Sequence, residues 1–322
     1  MDTSRIVRAD YSNPVYTRLA ATALSHWRHS EWGQDGRYVQ NGLMLVYPNH
    51  DSNGRTYAMK SYENVKSLEG ATVEYLASKA DVLRAAPAFG SGMDVAGGYV
   101  NWGSGWSDAE ATVRYAKERL ERQGQGRDRV TLRTGQVDRL LYNDSGDRVT
   151  GVHLTENTNH PSSSDSTLHA DLVILATGAW TAQLVDLRGR TVSTGQAMAY
   201  LPISDEEQAR LETMPTVLNF ATGMFVIPPR SNRLKIARHG YGYHNPVTVP
   251  VPNANGETMS ISLPKNDGPV PREGQRALRD ALAEFLPELA DRPFEKTRVC
   301  WYTDTYVSFL FLWTGDWGLA VC

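Results

Sequence analysis

Apolar residues recur at helical spacing from the first well-marked element onward. Asn13 stands where a helix cap is needed, and Pro14 suits a first turn, whose amide has no acceptor in any case. Val15, Leu19, Ala20, Ala23, Leu24 and Trp27 then share one face, which predicts an amphipathic helix. A continuous apolar run from Gly42 to Tyr47 stops at Pro48 and reads as a short strand. Ser61 to Leu83 mixes helix with connecting segments. Gly97 to Trp106 is dominated by glycine and tryptophan and predicts a loop-rich stretch. Ser107, with Glu110 three residues later, has the pattern of a capping box and opens a helix to about Arg122.

Beyond that helix the period changes from helical to extended. Three runs, Val130 to Leu132, Gln136 to Tyr142 and Val149 to Thr155, predict a meander, the last two joined by the turn Asn143 to Asp147. A polar loop from Thr158 to Ser166 leads to Leu172 to Leu175, apolar throughout as in a strand buried on both faces, and then at once to Ala176, Thr177 and Gly178. Thr191 to Ser262 is strand-like and broken by proline and glycine, predicting a mostly antiparallel sheet. A helix over Arg272 to Phe285 and a strand over Arg298 to Tyr302 follow. No repeat or heptad is present. The alternation of nucleotide-fold strands with an antiparallel block predicts two interleaved domains.

Composition narrows the class. The chain has 322 residues, 41% hydrophobic and 21% charged, ordinary values for a globular protein with a sizeable core. Its net charge of -3 and scattered basic residues give no electrostatic reason to expect nucleic acid or an anionic membrane. The expected partners are a small-molecule amine and oxygen, with the chain a monomer. Two cysteines, Cys300 and Cys322, make no disulfide framework and suit a reducing compartment. No stretch approaches the roughly 20 apolar residues of a membrane span, and the polar N-terminus is unlike a signal peptide. The expected location is intracellular, cytoplasmic or peroxisomal, although Ala320, Val321 and Cys322 are no peroxisomal tripeptide. His26 and His29 lie one turn apart, but nothing nearby completes a metal site, and none is expected.

Four segments carry chemistry. In Leu172 to Trp180, an apolar strand ends in Ala176 and Gly178, whose small side chains let backbone approach a ligand at a strand's carboxyl end. The simpler reading, a buried strand and an ordinary turn, is equally good for that segment alone. Arg5 and Arg8 are three apart, so on a helical turn both guanidiniums project to one side and could hold an anion; a solvated basic turn is the alternative. Lys235 lies inside the apolar run Leu234 to Ala237, where burial of its charge would be costly without a purpose. An edge lysine reaching water is the competing reading. Cys300 stands on a strand between Val299 and Trp301, where a free cysteine is ordinarily a small buried hydrophobe.

Taken in order, these segments resemble the FAD-dependent amine oxidases of the sarcosine oxidase, fructosyl-amino-acid oxidase and pipecolate or saccharopine oxidase kind. A helix, a meander and an Ala-Thr-Gly strand resemble the glutathione-reductase-like FAD fold. The fold class implied is α/β (α+β): an incomplete fold of that kind, in residues 1–40, 104–187 and 295–322, interleaved with a mostly antiparallel substrate domain in 41–103 and 188–294. By this resemblance Arg5 lies at the flavin, Arg8 and Tyr11 at the substrate carboxylate, and Lys235 over the flavin with His239 in the same site. Cys300 carries a thioether to the flavin 8α-methyl, within the string Arg298 to Thr305. Ser4, Arg5, Val137, Ala176, Gly178 and Trp180 contact the cofactor. The implied reaction is oxidation of a secondary amine, an N-substituted amino acid, to an imine with release of hydrogen peroxide.

The sequence departs from that family in three places. Arg238 precedes His239 where the fructosyl branch often has an acidic residue. No strand followed by Gly-x-Gly-x-x-Gly and a helix is present, and after Thr305 an apolar run replaces the family's Ser-Gly-His-Gly-x-Lys. The chain therefore reads as truncated at both ends, with apolar faces uncovered. A catalytically silent fragment that acts as a binding module is the rival from another class. A flavin hydroxylase or dehydrogenase of the same fold is a third, against which the setting of Cys300 argues.

Overall fold

A computed structural model describes residues 4–322 apart from 51, 124–129, 156–165, 241, 255, 306–312, 316–318 and 322. Backbone packing divides the chain into two compact units. The first gathers Met1–Val130, Ala197–Tyr241 and Pro269–Arg298; the second gathers Thr131–Gln196, Gly242–Gly268 and Val299–Cys322. These are units of packing, with boundaries other than those of the cofactor and substrate domains expected from sequence.

The first unit opens with β1 (Ser4–Val7) and α1 (Pro14–His29), capped as expected by Asn13, whose side chain accepts the Val15 amide at 2.9 Å. The predicted apolar face of α1 is only half used. Leu24 is buried, whereas Val15 and Leu19 are each 58% exposed. Next come β2 (Tyr38–Val39), β3 (Leu43–Tyr47), α2 (Ser52–Glu69), β4 (Val73–Leu76) and α3 (Lys79–Ala85). Strand β3 is buried at every position, so both its faces are apolar.

The glycine and tryptophan stretch expected to be loop-rich is instead two strands, β5 (Gly97–Asn101) and β6 (Gly105–Asp108). The glycines serve close approach rather than turning. A Cβ on Gly98 would lie 2.2 Å from the Leu45 carbonyl oxygen, and one on Gly105 would lie 2.0 Å from that of Val39. β6 pairs antiparallel with both β1 and β2, and β5 lies between β3 and β4. The helix after β6, α4 (Ala109–Gln123), is not capped by the expected Ser107 box. Ser107 belongs to the strand, and Asp108 accepts the Ala111 amide at 2.9 Å instead.

The second unit holds the meander of β7 (Gln136–Tyr142), β8 (Val149–Thr155) and β9 (Thr167–His169). The expected first run, residues 130–132, is not a strand; β9 takes the third place, so the meander extends forward in sequence rather than back. Strand β10 (Val173–Leu175) follows, then the short helix α5 (Thr181–Leu184). β10 is not buried on both faces. Val173 and Leu175 pack into the unit's core with Leu140, Val149 and Leu184, while Ile174 is 62% and the preceding Leu172 57% exposed.

β11 (Thr191–Pro202) carries the chain back into the first unit, where α6 (Asp205–Leu211), β12 (Thr216–Asn219), β13 (Met224–Arg230) and β14 (Arg233–Arg238) follow. The hairpin β15 (Pro246–Pro250) and β16 (Thr258–Ser262) belongs to the second unit, and α7 (Arg272–Phe285) to the first. β17 (Lys296–Thr305) runs five residues beyond its predicted core of Arg298 to Tyr302 and passes from one unit to the other. One mixed eight-stranded sheet has the order β17-β11-β14-β13-β12-β3-β5-β4, antiparallel at most of its pairings but parallel between β12 and β3. Finally β18 (Trp313–Gly315) and β19 (Leu319–Val321) form a hairpin, with β19 parallel to β10. Among the described residues no helix is long and apolar enough to cross a membrane.

Candidate functional site

In the first unit, β1 and the segment after it bring several of the predicted residues together. Arg5 and Arg8 do not lie on a helical turn, as their spacing suggested. Arg5 is an exposed residue of β1, and Arg8 follows that strand. Pairing of β1 with β6, far along the chain, decides the matter over any local preference. Lys235 lies on β14, opposite Tyr200 of β11, and is buried; its ammonium donates to the carbonyl of Ser4 at 2.7 Å. That bond and the Phe225 ring, 5.9 Å away, give the buried charge local support. The edge-strand reading of Lys235 thus fails, because β14 is flanked on both sides.

Arg8 is partly exposed, donates to the Asp10 carbonyl and lies over the Tyr11 ring at 4.5 Å. The chain here is held from α2. Asn64 donates to the carbonyls of Tyr11 and Ser12 at 3.1 and 3.0 Å, and Thr17 donates to that of Tyr11 at 2.9 Å. His239 is exposed just past β14, its amide bonded to the Gly223 carbonyl at 2.7 Å. Arg238, beside it, is buried and forms an ion pair with Glu273 of α7 at 2.7 Å. Its charge is therefore committed within the unit.

A polar cluster next to Arg8 was not anticipated from the sequence. Asp10 is fully buried, and its carboxylate accepts from Tyr99 Oη at 3.0 Å, Asn101 Nδ2 at 3.3 Å and Ser104 Oγ at 2.5 Å. Tyr99 Oη and Ser61 Oγ are hydrogen-bonded at 2.6 Å. Burial lifts the Asp10 carboxyl above the usual carboxylate range, against the opposing pull of Ser104, Arg8, Tyr99 and Asn101. Burial, and then Asp10 itself, push the Tyr99 phenol well above its ordinary value. The signal available in the sequence was Tyr99, Asn101 and Ser104, polar residues set among glycines two strands away from a lone aspartate.

In the second unit the Ala-Thr-Gly turn has the expected openness. Gly178 has φ of +52°, and among the described residues nothing lies within 4 Å of the position its Cβ would take. Ala176 and Trp180 are exposed at the same strand end, and Val137 is half-buried on β7. Cys300 on β17 is buried, 8% exposed. Near it, a Cβ on Gly195 would lie 2.4 Å from Val299, and Thr194 donates to Asp304. Among the described residues no group of three or more His, Cys, Asp or Glu is placed to hold a metal.

The family model for FAD-dependent oxidoreductases matches residues 2–316. The chain belongs to that family. Among curated proteins it is similar to the amino acid oxidase imqH of Aspergillus flavus, 26% identical, with 94% of this chain and 72% of the relative covered. It is also similar to L-saccharopine oxidase of Schizosaccharomyces pombe, 25% identical over 94% of this chain and 70% of the relative. Among solved structures, a modified fructosyl peptide oxidase from Aspergillus nidulans superposes with a TM-score of 0.84 at 21% identity, covering 99% of this chain and 74% of that one. That likeness fixes the fold: a mixed α/β architecture of this oxidoreductase type. The chain spans about 70 to 74% of the length of these relatives.

Among the described residues, the open backbone at Gly178 with the exposed strand end before it would suit FAD, since a glycine there leaves room for a dinucleotide to come close to the main chain. The sequence offers no Gly-x-Gly-x-x-Gly turn for the pyrophosphate.

Proposed function

We propose that this chain is the catalytic portion of an oxidase acting on the C–N bond of a secondary amine, an N-substituted amino acid such as sarcosine, pipecolate or saccharopine, giving an imine and hydrogen peroxide. The observation that carries the reading is the family match over residues 2–316, together with a lysine charge held buried on β14. The names of the relatives, amino acid oxidases and a saccharopine oxidase, support an amino-acid-like substrate. Bound FAD would supply the two-electron acceptor for this chemistry.

Each residue has a defined task. Arg8, partly exposed and stacked on Tyr11, would hold the substrate carboxylate. Lys235, fixed by the Ser4 carbonyl, would provide a positive charge where oxygen is reduced. Arg5 would balance negative charge on the reduced cofactor, with His239 in the same site. Cys300 would tether the flavin covalently, and Ser4, Val137, Ala176, Gly178 and Trp180 would line the cofactor. Fructosyl amino acids are a weaker fit, because Arg238 stands beside His239 and is already paired with Glu273.

The test is mass spectrometry of the denatured chain for a FAD adduct on the Cys300 peptide, followed by peroxide assays over sarcosine, pipecolate, saccharopine and a fructosyl amino acid. Absence of both flavin absorbance and peroxide with soluble protein would sink the oxidase reading. That outcome would favour a binding module instead, for which the uncovered face of Leu172 and Ile174 is the supporting observation.

A further inference from the structure

Arg8 and Asp10 are two residues apart on the segment between β1 and α1, but they face different surroundings. Arg8 keeps part of its surface exposed, while burial desolvates its guanidinium. Asp10 is sealed in, and its carboxylate is met by three neutral donors from β5 and the turn after it: Tyr99, Asn101 and Ser104. Its nearest balancing charge is that of Arg8, which donates to its backbone carbonyl and acts on its carboxylate through space.

With Asp10 ionised, the empty pair is neutral. A carboxylate arriving at Arg8 makes the cluster net negative in a poorly solvated place, where charge is costly. Some group must then take a proton. The groups facing the cluster are few. From its own segment come Arg8 and Tyr11. Tyr57 and Ser61 come from α2, Tyr99 from β5 and Tyr38 from β2, and the Arg28–Glu69 ion pair at 3.0 Å lies beside the Gly103 carbonyl. Burial holds the protons on two of the phenols, Tyr38 being pushed up to about 12 and Tyr99 well above its ordinary value. Glu69 is neutralised by Arg28. Among the described residues facing the cluster, Asp10 alone is both uncommitted to a salt bridge and able to accept.

We propose that Asp10 is the proton-linked counter-charge of the Arg8 anion site: when a substrate carboxylate binds the Arg8 guanidinium, Asp10 takes up one proton from solvent. This rests on the reading of Arg8 as the carboxylate ligand. Asp10 is thus a positioning residue. In its charged form it holds Arg8 in the empty site, and in its protonated form it releases the full guanidinium charge to the ligand.

The experiment is calorimetric titration of acetate, with acetamide as the neutral control, into the full chain supplied with FAD, in two buffers of different ionisation enthalpy across about pH 6 to 9. Acetate binding that depends on Arg8, shows buffer-dependent heat and weakens by about tenfold per pH unit above the Asp10 titration is expected. Asp10→Asn should bind acetate with no buffer dependence and no slope. Equal binding by Arg8→Met and the unaltered chain, or none by either, overturns the carboxylate-site reading and this inference with it. Arg8-dependent binding without proton uptake, or with uptake undiminished in Asp10→Asn, overturns the inference alone. Should Asp10→Asn fail to fold, Tyr99→Phe carries the test. Loss of one donor raises the proton affinity of Asp10 and must extend the proton uptake to higher pH, and an unchanged profile refutes the proposal.

Discussion

Replacing Ile174 by threonine on β10 tests whether the apolar face described above is open in solution. Full burial of such a side chain is worth about 1.5–3 kcal/mol. Ile174 is 62% exposed, so only roughly four-tenths of that is at stake, about 0.6–1.2 kcal/mol. Threonine keeps the β-branched shape that suits a strand, so no further penalty is expected. Its neighbour Leu175 is 4% exposed and packs with Leu140 and Val149; Leu175→Ala should cost about 2–5 kcal/mol. The assay is urea denaturation of both variants, followed by circular dichroism, with binding of an apolar dye as a second measure. Ile174→Thr should shift the midpoint slightly and lower dye binding; Leu175→Ala should shift it severely. If Ile174→Thr costs as much as Leu175→Ala, the face is covered by something in solution and the reasoning from exposure is wrong.

Lys235→Met should preserve the fold, because the lost bond to Ser4, about 1.5–3 kcal/mol, is offset by removal of a buried charge. Peroxide production should fall by at least about tenfold, and an unchanged rate would remove Lys235 from the site. Gly98→Ala should leave little soluble protein, since its methyl would lie 2.2 Å from the Leu45 carbonyl; normal expression and melting would contradict the pairing of β5 with β3. Because burial raises Asp10 in the folded chain, its contribution is fully present below the ordinary value of 3.8 and is lost as pH rises through the raised folded value. Asp10→Asn should therefore flatten the decline of stability over that window, seen in denaturation midpoints measured across it, and an identical slope in both proteins would refute the assignment.

What the sequence revealed was whatever local spacing controls. The cap of α1 at Asn13, the apolar run of β3, the hairpin of β7 and β8, and α7 with buried Leu278, Leu282 and Phe285 all follow from period and capping within a dozen residues. What it concealed was set by distant pairing. Glycines at 98 and 105 look like turns until Leu45 and Val39 come within reach of them. Arg5 and Arg8 read as a helical turn because nothing near them announces β6 as a partner. Leu172 to Leu175 is apolar on both faces, but composition cannot say whether the second face meets anything. The Ala-Thr-Gly turn, Lys235 and Cys300 were visible as chemistry out of place. Asp10 was not, since a single aspartate has no pattern until Tyr99, Asn101 and Ser104 surround it.

The parallel pairing of β3 with β12 has a bearing on the life of the chain at the ribosome. Asn41, just ahead of β3, bonds to Met214, just ahead of β12, across 173 residues. At roughly 5–20 residues per second, β3 leaves the ribosome about 9 to 35 seconds before its partner exists. Throughout that interval a fully apolar strand has one hydrogen-bonding edge without its parallel neighbour, a template for the wrong chain. Yield in cells should therefore depend on the pace of synthesis and on chaperones that shield nascent strands, rather than only on the stability of the finished fold.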